Sequence, residues 1–440
     1  MTHRVGSAAT CGRFIAVVMS LIVLASCSGG GSGSSTPPVT TPPPSGGTTN
    51  VAAVTVGFGA NGSAGGYYNG IWTTVTVCAP GSTTNCQTIP NVLVDTGSIG
   101  LRVLSSALGT LSLPQIQDGN GDVLQECIQF ASLAYVFGPV AMANVEVGGE
   151  TASQVPTAAG GTANSGIPIQ VIAANPSFAV PASCLSGGVG PDYNTVEALG
   201  GNGILGVGNF PQDCGSNCTT GSVAEYYICP NDTCQVPDVP VQDQVWNPVA
   251  AFSSSDTNGL LITLPSVAAG GAASVAGSLI FGIGTQSNNA LGSAQVYEVD
   301  EYGNFPQVTY NGVSYTSPSN GSYIDSGSNA FYFSDPTSLA STGILACADG
   351  SGYYCPASTI PFTATVYGAN NVSAPVNFSI ANAANLISSG NAAFDDLGAA
   401  SGSGPATDDL DLGLPFFFNR SVFVGIAGAN NTYPNGYWAF

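Results

Sequence analysis

Two short segments of the chain combine an aspartate with hydroxyl residues and a glycine. The first, "NVLVDTGSIGLRV" at 91–103, contains the motif Asp95-Thr96-Gly97-Ser98, and the second, "GSYIDSGSNAFYFS" at 321–334, contains Asp325-Ser326-Gly327-Ser328. A single Asp-Thr-Gly is ordinary turn chemistry. Two copies, each at the end of an apolar run, predict two loops that bring their carboxyl groups together. Adjacent carboxyl groups share one proton and can act as a general acid and a general base.

Composition excludes most other catalytic chemistry. The only histidine is His3, and the four basic residues are all arginines, at positions 4, 13, 102 and 420. If His3 is removed with an export signal, the mature chain lacks both imidazole and lysine side chains. Ser-His-Asp and Cys-His catalysis, Schiff bases and His-ligated zinc are then excluded. We therefore expect carboxylates to carry any acid–base chemistry, with no cofactor and no metal.

The charge balance limits the possible partners. The formal net charge is -21, and charged residues make up 7% of the chain, against about 25% in an average globular protein. Binding to a phosphate backbone needs clustered lysine and arginine. Nucleic acid is therefore not an expected partner.

The first 50 residues predict export. Arg4 and Arg13 precede the apolar run "FIAVVMSLIVL" at 14–24, which is shorter than the about 20 residues that span a bilayer. Leu24-Ala25-Ser26-Cys27 looks like a bacterial lipobox, so we predict a signal peptide at 1–26 and lipid attachment to Cys27; a plain secretory signal is the alternative. Ser28 favours the outer membrane of a bacterial cell envelope. Residues 27–50 are a Gly/Ser/Pro-rich tether.

Ten further cysteines predict five disulfides in an oxidising compartment. We expect Cys347 to pair with Cys355, and Cys78 with Cys86, because each pair closes a short loop. The cysteines at 214–234 could pair as neighbours or nested, and metal binding is the alternative to disulfides. The full set is Cys78, Cys86, Cys127, Cys184, Cys214, Cys218, Cys229, Cys234, Cys347 and Cys355.

Residues 51–440 predict an all-β fold. Short runs rich in Val, Ile, Tyr and Thr recur between Gly, Pro, Asn and Ser, and only 222–229 and 336–344 suggest short helices. The two halves also share an order of motifs. The segment "GILG" at 203–206 follows the first aspartate motif, and "LGLP" at 412–415 follows the second. This echo predicts two duplicated lobes.

On these motifs the chain resembles the pepsin-like aspartic peptidases, and it is similar to an uncharacterised bacterial family of pepsin-like lipoproteins. The resemblance implies a bilobal fold with the active-site cleft between an N-terminal lobe, 51–270, and a C-terminal lobe, 271–440. It implies an aspartic endopeptidase in which Asp95 and Asp325 activate a water molecule to hydrolyse peptide bonds. The expected partner is a protein or peptide substrate, the protein is expected to be a monomer, and membrane contact would be through the lipid anchor only.

The resemblance also implies roles for the residues around the two aspartates. Thr96 and Ser326 would brace the two loops against each other. Ser98 and Ser328 would hydrogen-bond the outer carboxylate oxygens, and the glycines would let backbone N–H groups approach. The implied support set is Thr96, Gly97, Ser98, Ser326, Gly327 and Ser328.

The chain departs from the family pattern beside the site. The flap hairpin of pepsin-like enzymes carries a tyrosine, and the nearest candidate here is Tyr135, although it could equally be a core or surface aromatic residue. Arg102 stands where a tryptophan is usual, and we expect it to be an ion-pair partner. Two alternative functions are a catalytically inactive pepsin-like surface module that binds a partner, and an outer-membrane β-barrel or adhesin.

Overall fold

The computed structural model describes residues 50–65, 67–156, 162–163, 165–173, 179–318, 321–333, 339, 342–401 and 410–440. The predicted signal peptide, Cys27 and nearly all of the tether lie outside the described residues. Most of the helix predicted at 336–344 does so as well. Within the described part of the chain, no helix is long and apolar enough to cross a membrane.

The described chain is all-β, as the sequence predicts. Its strands are β1 Val51–Gly57, β2 Gly70–Cys78, β3 Cys86–Asp95, β4 Ile99–Leu104, β5 Leu124–Gln129, β6 Tyr135–Val147, β7 Glu150–Ala152, β8 Val155–Pro156, β9 Thr162–Ala163, β10 Ile167–Ile172, β11 Gly203–Val207, β12 Tyr226–Ile228, β13 Gly259–Leu264, β14 Val275–Phe281, β15 Val296–Glu298, β16 Gln307–Tyr310, β17 Val313–Thr316, β18 Tyr323–Ile324, β19 Phe331–Phe333, β20 Ile360–Tyr367, β21 Ser373–Ile380, β22 Gly398–Ala399, β23 Leu410–Leu412, β24 Arg420–Gly425 and β25 Tyr437–Ala439.

Helices in the described residues are short. Two α-helices lie wholly within the described residues, α1, Val196–Leu199, and α2, Ala383–Ser388. Thr195 caps the first by accepting a hydrogen bond from the Ala198 N–H at 3.2 Å. The 3₁₀ helices are Gly59–Gly65, Ser105–Leu108, Gly215–Thr220, Pro230–Asp232, Val241–Asp243, Pro248–Ala251 and Leu414–Phe417.

The helix predicted at 222–229 is wrong. This segment contains β12, which pairs antiparallel with β5, and all three of its residues are buried. The Cys127 N–H donates to the Glu225 carbonyl at 2.7 Å, which extends the pairing beyond the strand. A helix would bury only one stripe of its side chains. A run of adjacent buried aromatic residues instead fits a covered sheet edge.

The strands form one large sheet and three smaller ones. The large sheet has the order β12-β5-β6-β10-β4-β11-β3-β2-β1-β14-β13-β24-β25-β15, with β7 paired to β6. The others are β17-β16-β20-β21, β18-β23-β19-β22 and β8-β9. Because β1 pairs with β14 in register from Val51↔Ile280 to Val56↔Val275, one continuous sheet crosses the predicted lobe boundary after residue 270.

The two aspartate motifs are carried by equivalent three-strand units. In the first, β11 lies between β3, which it pairs parallel, and β4, which it pairs antiparallel. In the second, β23 lies between β18, again parallel, and β19, again antiparallel. The segments "GILG" and "LGLP" therefore flank corresponding loops. Asp95 is the last residue of β3 and Asp325 directly follows β18, so each aspartate lies where the chain turns back after the first strand of its unit.

All five predicted disulfides are present, and they connect mostly neighbouring cysteines. Both pairs expected from their short loops form, and the cluster at 214–234 pairs as neighbours. The bonds are Cys78–Cys86, Cys127–Cys184, Cys214–Cys218, Cys229–Cys234 and Cys347–Cys355. Five disulfides indicate an extracellular or envelope-exposed protein.

Candidate active site

The two aspartate loops are joined by reciprocal hydrogen bonds. The Thr96 N–H donates to Ser326 Oγ at 3.1 Å, and the Ser326 N–H donates to Thr96 Oγ1 at 2.9 Å. The hydroxyls donate onward: Thr96 Oγ1 to the Ile324 carbonyl at 3.0 Å and Ser326 Oγ to the Val94 carbonyl at 2.7 Å. Both side chains are buried. The loops therefore have little freedom to move relative to each other.

This brace brings the two carboxyl groups together. The Gly97 N–H donates both to Asp95 Oδ1 at 2.9 Å and to Asp325 Oδ1 at 3.2 Å. Two carboxylate oxygens that share one donor must lie close to each other. Asp95 is buried and Asp325 is half-buried.

The remaining carboxylate oxygens are held by the residues that the motifs supply. Ser98 Oγ donates to Asp95 Oδ2 at 2.5 Å, and Ser328 Oγ donates to Asp325 Oδ2 at 2.8 Å. The Gly327 N–H donates to Asp325 Oδ1 at 2.7 Å. Each carboxyl group therefore has a fixed orientation, with its Oδ1 atom directed at the shared centre.

Each glycine of the motifs faces the aspartate of the other loop. A Cβ atom on Gly97 would lie 2.5 Å from Asp325 Cγ, and one on Gly327 would lie 2.5 Å from Asp95 Oδ1. Such distances are far inside van der Waals contact. The glycines are therefore required by the close approach of the two loops.

The electrostatics of the pair favour a shared proton. Burial raises the pKa of Asp325 well above its usual value, and the neighbouring Asp95 raises it further through charge and a side-chain hydrogen bond. The hydrogen bonds from Ser328 and Gly327 oppose this rise but do not reverse it. Asp325 thus keeps its proton to higher pH than an exposed aspartate would.

Three tyrosines lie near the second aspartate loop, and the sequence does not predict them. Tyr67 donates its hydroxyl hydrogen to the Gly327 carbonyl at 3.1 Å. Tyr332 donates to Asn329 Oδ1 at 2.6 Å, and Asn329, the residue after Ser328, donates to the Tyr353 hydroxyl at 3.0 Å. The chain has 17 tyrosines, and nothing in their local sequence distinguishes these three from the rest.

The structure does not bring Tyr135, the predicted flap residue, together with the two aspartates. Tyr135 begins β6, pairs with Gln129 across the β5–β6 hairpin, and forms a bridge with Asp192. Burial raises the pKa of Tyr135, and the Asp192 carboxylate raises it further. Phe130, in the turn of the same hairpin, packs against Tyr193, with ring centroids 6.4 Å apart.

Arg102 is completely buried and forms the expected ion pairs. Its Nη2 donates to Glu126 at 2.7 Å and to Asp213 at 3.1 Å, and its Nη1 donates to the Ile99 carbonyl. Tyr226 donates to both carboxylate oxygens of Asp213, at 2.7 and 2.9 Å. This cluster connects β4, which follows the first aspartate loop, to the β5–β6 hairpin.

Among the described residues, the donor atoms of Cys214, Cys218 and Glu225 lie within 4.8 Å of one another and would be the candidate metal ligands. The two cysteines are bonded to each other. A cysteine binds metal as a free thiolate, so the disulfide removes two of the three ligands. The disulfide prediction is therefore preferred to the metal alternative for this cluster.

Together, the fold and the site define an all-β protein with five disulfides, as in extracellular or envelope-exposed proteins, and with two Asp-Thr/Ser-Gly-Ser loops that hydrogen-bond to each other. Over residues 46–440 the chain matches the family described as "Protein of unknown function (DUF3443)", and it belongs to that family. No curated protein matches the chain in sequence.

Proposed function

We propose that this protein is an aspartic endopeptidase of the bilobal, pepsin-like type, with Asp95 and Asp325 as its catalytic pair. The observation that carries the proposal is the single Gly97 N–H that donates to both carboxyl groups. The repeated three-strand unit and the reciprocal Thr96–Ser326 hydrogen bonds support the two-lobed architecture.

In the proposed mechanism the pair holds one proton. The raised pKa of Asp325 supports placing that proton there. The carboxylate of Asp95 takes a proton from a water molecule between the two groups, and the resulting hydroxide attacks the peptide carbonyl carbon while Asp325 donates its proton to the developing oxyanion. In the breakdown step Asp325 takes a proton back from a hydroxyl of the tetrahedral intermediate. Asp95 donates the proton that it took from water to the leaving amine as the C–N bond breaks, so the pair again holds one proton.

The test is proteolysis of a denatured protein across a range of pH. We expect cleavage in acid, inhibition by a statine-type compound, and near-complete loss in Asp95→Asn and in Asp325→Asn. Asp349→Asn is the matched control, because Asp349 is exposed. Cleavage that persists in both catalytic-pair variants would disprove the proposal. Tight peptide binding without cleavage by the wild type would instead favour the inactive binding module.

For the location of the protein, we propose an outer-membrane lipoprotein anchored through Cys27. The "LASC" motif and the tether that follows it support this proposal. Labelled palmitate should enter the wild-type protein and not Cys27→Ala. Equal labelling of both proteins would favour the plain secretory signal.

A further inference from the structure

Tyr67 packs against Trp72, and four glycines leave space for this aromatic pair. Its ring packs edge-on against Trp72 with centroids 5.4 Å apart, and Trp72 Nε1 donates to the Gly57 carbonyl at 2.9 Å. A Cβ atom on any of four glycines would approach one of the two rings: within 2.5 Å of Trp72 for Gly59, Gly70 and Gly201, and 3.1 Å from Tyr67 for Gly200. Glycines from two separate segments of the chain therefore make room for this aromatic pair.

The hydroxyl of Tyr67 acts on the second aspartate loop. It donates to the Gly327 carbonyl, 260 residues away in the sequence. The same glycine donates its N–H to Asp325, and the next residue, Ser328, donates its hydroxyl to the other oxygen of that carboxyl group. Tyr67 thus holds the peptide unit between the two donors that orient Asp325.

Tyr67 is also electrostatically coupled to the pair. Burial raises the pKa of Tyr67 well above its usual value, and Tyr193, Asp95 and Asp325 each raise it further. The hydroxyl therefore remains a neutral hydrogen-bond donor throughout the pH range in which the carboxyl groups titrate. The hydroxyl oxygen lies 3.1 Å from the carbonyl oxygen of the glycine whose N–H donates to Asp325, so the ring approaches the pair from the side of the second aspartate loop.

The β5–β6 hairpin supplies no equivalent tyrosine. Its turn, 130–134, reads Phe-Ala-Ser-Leu-Ala, and Tyr135 is engaged with Asp192. Tyr67, whose hydroxyl reaches the second aspartate loop, instead comes from the segment between β1 and β2.

We propose that Tyr67 is a positioning residue of the catalytic pair: its hydroxyl fixes the Gly327 peptide and its ring keeps water away from the two carboxyl groups. This proposal rests on the proposed peptidase function. The hydroxyl and the ring of Tyr67 have separate roles in this proposal, and separate variants can distinguish them.

Two substitutions test the two parts. Tyr67→Phe keeps the ring but leaves the Gly327 carbonyl without its donor, so kcat should fall roughly three- to tenfold with KM and the pH profile unchanged. Tyr67→Ala admits water, so the pKa of Asp325 should fall and the alkaline limb of the kcat/KM profile should move down by roughly one pH unit. Tyr227→Phe is the matched control, because Tyr227 also donates to a backbone carbonyl, that of Ala224 at 2.8 Å. It should change neither quantity.

A second measurement keeps the test independent of activity. Carboxyl-carbon NMR titration of Asp325 should report a lower pKa in Tyr67→Ala than in the wild type, whether or not the protein cleaves peptides. An inactive wild type with this shift would overturn the peptidase function and retain the shielding role. An unshifted titration in Tyr67→Ala, or wild-type kcat in Tyr67→Phe of an active enzyme, would overturn the proposal for Tyr67. Should Tyr67→Ala fail to fold, Tyr67→Leu replaces it in the same titration.

Discussion

Thr96 and Ser326 lie 230 positions apart, yet each donates its backbone N–H to the hydroxyl oxygen of the other. Each hydroxyl also donates to a carbonyl of the opposite loop, so neither side chain can leave without exposing unpaired buried groups. The consequence is that the two loops form one rigid unit. The orientation of Asp95 is therefore inseparable from that of Asp325.

Loss of either hydroxyl should destabilise the protein. Thr96→Val and Ser326→Ala each leave buried donors and acceptors unpaired, at a cost of about 1–3 kcal/mol in the free energy of unfolding. The double variant should lose less than the sum of the two, because the residues share their partners. Urea unfolding measures all three. Thr76→Val is the control, since the side-chain hydroxyl of Thr76 hydrogen-bonds only the hydroxyl of Thr88, an exposed neighbour, at 2.9 Å. Additive losses of stability in the double variant would contradict the reciprocal hydrogen bonding of Thr96 and Ser326.

A single added methyl group should separate the two aspartates. In Gly97→Ala the new Cβ atom would overlap the Asp325 carboxyl group, and in Gly327→Ala it would overlap that of Asp95. We expect a loss of about 1–3 kcal/mol in stability from overpacking, with loss of any cleavage activity. Gly119→Ala is the control, because no atom lies within 4 Å of its Cβ position. Full activity in either motif variant would show that the loops are farther apart than this geometry requires.

Removal of the buried cation should be more costly than removal of a surface charge. Arg102→Met leaves Glu126 and Asp213 buried without their partner, and breaking a buried pair in this way costs about 3–5 kcal/mol. Burial raises the pKa of Glu126 and Arg102 lowers it, so without Arg102 that pKa rises further above its unfolded value. The stability of the variant is then greatest below the unfolded pKa of Glu126 and falls as pH rises. Thermal unfolding at acid and neutral pH measures this difference; a loss that is the same at both would contradict it.

The sequence predicted the parts of the site that depend on local pattern. Each aspartate motif and each apolar-Gly segment is a short continuous run, and the two occur in the same order in both halves of the chain. Two similar units could therefore be inferred from the order of the motifs alone. The disulfides Cys78–Cys86 and Cys347–Cys355 were likewise readable from short loops.

Features that depend on contacts between distant segments could not be predicted from the sequence. The space for the Tyr67–Trp72 ring pair requires two pairs of glycines that are distant in the sequence, Gly59 and Gly70 and Gly200 and Gly201, to converge. β12 was mistaken for a helix because its short run of apolar residues has no clear period, and only its pairing with β5 decides its conformation. The position of Tyr135 in the sequence makes it the predicted flap residue, but that position carries no information about its bridge to Asp192.

The long-range disulfide should contribute more stability than the short ones. Cys127 and Cys184 are separated by 57 positions, and Cys214 and Cys218 by 4. The loss of chain entropy in the unfolded state corresponds to about 4 kcal/mol for the first loop and about 2 kcal/mol for the second. Replacing each pair by alanines and comparing denaturant midpoints tests this order. Equal losses would mean that strain or residual unfolded structure outweighs loop length.

Glu225 should make the protein less stable as pH rises. It is buried, and one of its carboxylate oxygens, Oε2, has no hydrogen-bond partner. Burial raises the pKa of Glu225 to about 8, and the charge of Asp213 contributes in the same direction, while Arg102 opposes it. In the unfolded chain a glutamate has a pKa of about 4.3. The folded state therefore binds more protons than the unfolded state between these two values, so the free energy of unfolding falls with increasing pH. The stability associated with the neutral form is complete below about pH 4 and is lost as pH rises through the folded pKa of about 8.

Glu225→Gln removes this titration and keeps the shape of the side chain. The variant should match the wild type at pH 4 and become progressively more stable than it toward pH 8, by an amount on the order of a few kcal/mol. Glu197→Gln is the matched control, because it makes the same substitution at an exposed position. Chemical unfolding of the three proteins at intervals between pH 4 and pH 8 measures the difference directly. A wild-type curve parallel to that of Glu225→Gln across this range would mean that water or a rearranged partner stabilises the ionised form of Glu225 in the folded protein.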